Sequence, residues 1–98
     1  MIRHIAFFSV RDSADIDLVI ETLRGYQDID EVESLEVARN DRCDDLDQQI
    51  DVVLHATFRD REALDRYKAH PRYIAGIDVI RPRRKIRHVV DYEVPDES

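Results

Sequence analysis

The opening alternation constrains this chain more than any other feature. Residues Ile2 to Val10 repeat with a period of two, the mark of a β-strand. One side carries Ile2, His4, Ala6, Phe8 and Val10, and the other carries Arg3, Ile5, Phe7 and Ser9. A strand with apolar residues on both sides needs a cover on both faces. The chain has 98 residues, 43% of them hydrophobic, which suits a single domain over residues 1–98 with a modest core. Its own helices can cover one face, and a second copy of the chain is the natural cover for the other.

The periods that follow supply those helices. Asp12, Ser13 and Asp15 offer a capping side chain and negative charge at a helix start. Ile16, Val19, Ile20 and Leu23 then recur at i, i+3, i+4 and i+7, one buried helical stripe, with Gly25 at its end. A second, more polar strand is expected from Glu33 to Arg39, with Leu35 and Val37. Asn40 to Gln49 is acidic and nearly free of apolar residues, as a solvated hairpin loop would be. The clearest strand is Ile50 to Phe58, with Val52, Leu54, Ala56 and Phe58 on one side and Asp51, Val53, His55 and Thr57 on the other. Asp60 can cap a helix carrying Ala63, Leu64 and Tyr67. That helix breaks at His70, because a residue before proline is pushed out of the α region. Pro71 suits the first turn of a new short helix with Tyr73, Ile74, Ile77 and Ile80, and Pro82 closes it. Lys85 to Val94 is the last strand, and Asp96 to Ser98 is a frayed tail.

The order is βαββαβ, which predicts an α+β, ferredoxin-like fold: a four-stranded antiparallel sheet with its helices on one face. Ile5, Phe7, Val53, His55, Val90 and Tyr92 share the opposite face. They are expected to pair with the same face of a second copy, giving a homodimer.

Charge and composition exclude several functions. A net charge of −7 repels phosphate backbones and argues against general nucleic-acid binding, and the third strand lacks the exposed aromatic motif of RNA-binding sheets. Arg81, Arg83, Arg84, Lys85 and Arg87 form a basic run without an acid among them. Pairing with the acidic remainder, or simple solvation, is the plainer reading; an anion-attracting spot is the other. No apolar run approaches the roughly 18 residues of a membrane helix. Met1 leads directly into the strand without a signal-peptide stretch, and one cysteine, Cys43, cannot form an internal disulfide, so the cytoplasm is the expected location. The two glycines, Gly25 and Gly76, satisfy neither GxGxxG nor a P-loop, and no GxSxG elbow is present. No metal is expected: the four histidines are scattered, and the alternation of Asp41, Cys43, Asp45 and Asp47 has Leu46 where a calcium loop turns on glycine and Val52 where its bidentate glutamate belongs.

Four segments carry a resemblance. The strand Ile2-Arg3-His4-Ile5, the segment Phe58-Arg59-Asp60, the run Tyr67-Lys68-Ala69-His70-Pro71 and the closing Val89-Val90-Asp91-Tyr92 together resemble the stress-responsive dimeric α/β-barrel family, in order and spacing and over essentially the whole chain. The Tyr-x-x-His-Pro element is the most specific part. The resemblance implies a homodimer in which two ferredoxin-like sheets close one barrel, and it implies no organic cofactor. Most members are stress-associated proteins without a defined activity. The best-defined enzymatic relative is a plant polyketide cyclase that folds a linear tetraketide into an aromatic acid. Its machinery is a histidine three residues beyond the His-Pro histidine, assisted by the tyrosine of the run, with a first-strand histidine in the pocket. Tyr67 and His4 match two of these; the third position holds Tyr73. A phenol, ionising ordinarily at about pH 10, is a poor general base at neutral pH.

The candidate pocket therefore lies between sheet and helices. His4, Ala6 and Phe8, Val52 and Leu54, Tyr67 and Tyr73 are expected to face it. Matching the closing segment to the family adds Arg87 and Val89. A small, mostly apolar, aromatic molecule with a carboxylate or phenolate would complement that wall. His4, Ala6, Phe8, Leu54, Tyr67, Tyr73 and Arg87 are its candidate binding residues, and His4 and Tyr67 its candidates for proton transfer. His70 is read as a helix cap. His55 and His88 belong to the dimer face, paired there with carboxylates. Whether the pocket does chemistry is open on sequence. The alternative is a non-enzymatic, stress-associated interaction module whose stable dimer is the functional unit. An apolar cavity behind His4 would favour the first reading and a filled space the second.

Overall fold

The structure, a computed structural model, describes residues 1–95, without the side chain of Asp47; the expected tail from Asp96 lies outside them. Four strands run as β1 (Ile2–Val10), β2 (Val32–Arg39), β3 (Val52–Phe58) and β4 (Arg84–Glu93), with helices α1 (Ile16–Arg24), α2 (Arg61–Ala69) and α3 (Pro71–Ile80). The sheet order is β2-β3-β1-β4, and every neighbouring pair is antiparallel. This is the ferredoxin-like arrangement the periods predict, with the second helical segment split at His70.

Local chemistry explains the boundaries. The Asp60 carboxylate accepts from the Ala63 N–H at 2.8 Å and caps α2; this bond, more than any other influence, holds Asp60 below the usual carboxylate range. His70 is extended, as its position before Pro71 requires, and its Nδ1 accepts from the Arg72 N–H at 3.0 Å. It therefore caps α3, the structural role expected of it. Asp12 caps a short 3-10 turn over Ser13–Asp15 that leads into α1. Gly25 ends α1 with an ordinary right-handed backbone, and a second 3-10 turn, Gly25–Asp28, continues the chain. That extra turn carries Tyr26 into the core.

The segment before β3 departs from expectation. Asp51 is not an outward strand residue: it is buried, its Oδ2 accepts from the Val10 N–H at 2.9 Å, and Oδ1 pairs with Arg42. A buried carboxylate needs such partners, and here they tie the hairpin loop to the end of β1. The loop is accordingly more ordered than a solvated acidic tract, with Arg42 also donating to the Gln48 carbonyl at 3.0 Å and a 3-10 turn at Asp45–Asp47.

Alternation along β1 sorts the two faces. Ile2, His4, Ala6 and Phe8 are buried beneath the helices with Val52, Leu54, Ala56 and Phe58, and Ile16, Val19, Leu23, Leu64 and Ile80 close over them. On the other face, Ile5 lies between His55 and Val90, and Phe7 between Val53 and His88. Ile5, Phe7, Val53 and His55 are only half-buried, while Val90 is 51% exposed and Tyr92 38%.

Candidate functional site

All seven expected binding residues meet around one space. His4, Ala6 and Phe8 of β1, Leu54 of β3, Tyr67 of α2, Tyr73 of α3 and Arg87 of β4 line a cavity of about 10 Å³, together with Leu23, Tyr26 and Ile77. Val52 and Val89 lie outside that lining, in or against the surrounding core. A space of this size holds one water molecule at most. Aromatic rings fill the rest: ring centres lie 4.7 Å apart for Phe58 and Tyr67, 4.9 Å for Tyr67 and Tyr73, and 5.3 Å for Tyr26 and Tyr73. Burial pushes the Tyr26 and Tyr67 hydroxyls well above their ordinary value, so both are neutral donors.

His4 is the buried polar group of this wall, 2% exposed. Its Nδ1 lies 2.5 Å from Oδ1 of Asp91, directly across the β1–β4 ladder. Burial lowers the His4 pKa from its ordinary 6.5, against the opposing pull of Asp91; Lys68 and Arg87 lower it further. The imidazole is therefore neutral at pH 7, its Nδ1–H donates to the Asp91 carboxylate, and Nε2 carries the basic lone pair. The Tyr67 ring lies edge-on, with centres 6.1 Å apart. A histidine oriented by a carboxylate, beside a neutral phenol, is equipped to accept and return a proton.

Arg87 stands at the boundary of this cavity. Its Nη2 donates to the Tyr73 hydroxyl at 3.3 Å, and its Nε is buried without a partner. Beyond the pair a recess of about 290 Å³ opens between α3 and β4; Tyr73, Ile77 and Arg87 line both spaces. Lys68, Arg81 and Arg84 also line the recess. Of the basic run, Arg83 reaches Asp15 at 3.8 Å, Arg81 and Lys85 are exposed, and Arg81, Arg84, Lys85 and Arg87 form no ion pair among the described residues. The reason is geometric, since β4 is an edge strand beside α3, and the main acidic loop lies elsewhere.

Sequence reasoning missed three parts of this site. Asp91 was legible in principle, sharing the parity of Arg87 and Val89 on a strand expected beside β1. Tyr26 carried no helical signal, because it follows the end of α1. Lys68 joins Arg81 and Arg84 of the basic run only in the fold, since it comes from α2. His55 and His88 lie on the far face, away from the cavity. Among the described residues no cluster of three or more His, Cys, Asp or Glu could hold a metal ion, and no helix is long and apolar enough to cross a membrane.

The same architecture recurs in solved structures. A protein from Arabidopsis thaliana superposes with a TM-score of 0.82 at 20% identity, over 100% of this chain and 99% of its own. A dimeric ferredoxin-like protein from Thermobifida fusca gives 0.82 at 23% identity, over 95% and 90%. A putative antibiotic biosynthesis monooxygenase from Nitrosomonas europaea gives 0.75 at 15% identity, over 96% and 98%. These likenesses are of fold. Among curated proteins none matches the sequence. The model of the stress responsive A/B barrel domain matches residues 2–94, and the chain belongs to that family.

Proposed function

We propose that the protein is a homodimer that binds a small, mostly apolar, aromatic acid between sheet and helices, with weak proton-transfer chemistry available at His4. The observation that carries this reading is the His4 Nδ1–Asp91 Oδ1 contact of 2.5 Å. It orients the imidazole, which burial keeps neutral, on a wall shared with Tyr67, Tyr73 and Arg87. The phenols and Arg87 supply donors for a carboxylate or phenolate; Phe8, Leu54 and Ala6 supply apolar contact. Because the inner cavity is only about 10 Å³, entry of a ring requires Tyr73 and Arg87 to separate, which joins that cavity to the recess. Dimer formation through Ile5, Phe7, Val53, His55, Val90 and Tyr92 is supported by the continuity of that half-exposed apolar face and by relatives described as dimeric. The test is a thermal-shift screen of the purified protein against aromatic acids, polyketide-like lactones and acyl compounds, followed by titration of hits into His4→Ala. A saturable shift that the variant loses supports the reading.

The small volume of the inner cavity also favours a second reading. In it the packed aromatic cluster is core, and the stable dimer itself is the working unit of a stress-associated interaction module. A screen without hits and an unperturbed, cooperative dimer would select this reading.

A further inference from the structure

The recess outside Tyr73 carries a charge pattern that the aromatic-acid reading leaves unused. Lys68 reaches it from α2, Arg81 from the end of α3, and Arg84 and Arg87 from β4. One carboxylate, Asp78, lines the same space, and no ion pair engages any of the four cations among the described residues. This is unusual in a chain of net charge −7, in which Arg39, Arg42 and Arg66 each find a carboxylate. Burial first, and then the neighbouring Arg87 and Arg81, depress the Arg84 pKa from its ordinary value. Apolar contact comes from α3, through Ile77 and the half-exposed Ile74. At about 290 Å³ the recess falls just short of the lower limit of small-ligand pockets, roughly 300 Å³.

We propose that this recess is a binding site for a dianionic head group, with a phosphate monoester as its simplest form, joined to an apolar body that packs on Ile74, Ile77 and Tyr73. The proposal rests on the pocket reading above and adds the charge class of the ligand. A single carboxylate would leave most of the converging positive charge uncompensated. A phosphate offers three terminal oxygens that two guanidinium forks and an ammonium can share. The geometry also orders the ligand: the head stays among Lys68, Arg81 and Arg84, while Arg87 and Tyr73 lie at the inner end, where the body meets the His4 cavity.

Calorimetric titration of the full chain with phenyl phosphate, inorganic phosphate and benzoate tests this. Phenyl phosphate should bind more tightly than either of the others, and less tightly as salt is raised. Arg84→Met and Arg81→Met should each weaken it by roughly tenfold or more, the loss of one charge-assisted contact. Arg84→Lys should recover part of the loss, and Lys85→Met, outside the recess, should change little. Phenyl phosphate binding no tighter than benzoate, or equal affinity in the Arg81→Met/Arg84→Met double variant, overturns the proposal. If benzoate still binds in a His4-dependent way, the pocket reading survives that failure; if none of the three probes binds, both fall.

Discussion

Arg87 donates to the Tyr73 hydroxyl at 3.3 Å, and both residues line the small cavity at His4 as well as the recess between α3 and β4. Removing each partner should have unequal effects on an aromatic acid. Arg87→Met deletes the cation that would meet the carboxylate, and should weaken benzoate by roughly tenfold or more, as expected of a charge-assisted hydrogen bond. Tyr73→Phe removes one phenol donor but frees the guanidinium for the ligand, and should weaken benzoate less than Arg87→Met does. Titrations of the two variants beside His4→Ala decide the matter. Unchanged affinity in both Arg87→Met and His4→Ala would hand the protein to the interaction-module reading.

Gly76 owes its identity to a close approach. A Cβ added there would fall well inside contact distance of the Tyr26 hydroxyl and ring, and Tyr26 has little freedom to retreat: it is 1% exposed and donates to the Tyr73 carbonyl at 3.1 Å. Gly76→Ala should therefore cost about 1–3 kcal/mol, the usual penalty of overpacking, despite the better helix propensity of alanine. Urea denaturation should locate the loss in the midpoint with little change of slope.

The sheet face opposite the helices predicts assembly. Phe7 stands between Val53 and His88, and Ile5 between His55 and Val90, an apolar strip too continuous to remain wet. Val53→Lys should abolish most of the association, because it buries an unpaired charge. Sedimentation of an unaltered dimer by that variant would remove this face from consideration.

How much of this was legible in the sequence differs from one residue to the next. Period-two alternation placed His4, Ala6 and Phe8 on one wall, and Pro71 together with the cap at His70 broke the helix where the structure breaks it. Asp51 was misassigned because alternation sees parity but not end effects: at the start of a strand, a carboxylate that can accept from the Val10 N–H turns inward. The basic run was read mainly by composition, which cannot tell that α3 and the edge strand β4 hold three of its arginines apart from the acidic loop. Volume was illegible too, since the same seven residues could have surrounded a large pocket or the small one found.

On the resemblance carried by the Tyr67–Pro71 run, Tyr73 falls where the enzymatic relative keeps its base, and a phenol is poorly suited to that role at neutral pH. The unmodified protein should therefore lack efficient cyclisation of a linear tetraketide. Tyr73→His would place an imidazole next to Tyr67, where the ring centres now lie 4.9 Å apart. Any gain should fall within the roughly 10²–10⁴-fold that general acid–base help contributes. Robust turnover by the unmodified chain would assign the base to another residue, with His4 the first to examine by substitution.

The His4–Asp91 pair also sets a pH dependence, and its sign follows from burial. Desolvation holds the folded-state pKa of His4 below 6.5, outweighing the hydrogen bond and charge of Asp91. In the unfolded chain the imidazole takes up a proton as pH falls through about 6.5, whereas the folded protein resists until a lower pH. Stability from this group is thus complete above the unfolded value, declines as pH drops below about 6.5, and levels off once the folded imidazole is protonated as well. His4→Gln removes that contribution while leaving the other three histidines in place. Urea denaturation across a series from about pH 7.5 to 5 should show the unmodified protein losing stability more steeply than His4→Gln. Equal slopes would mean that His4 titrates normally in the folded state. Since Lys68 and Arg87 contribute to the lowering, saturating phenyl phosphate should offset their charge and raise the His4 pKa, readable from its ring proton shifts; a downward shift would contradict an anion bound beside those two side chains.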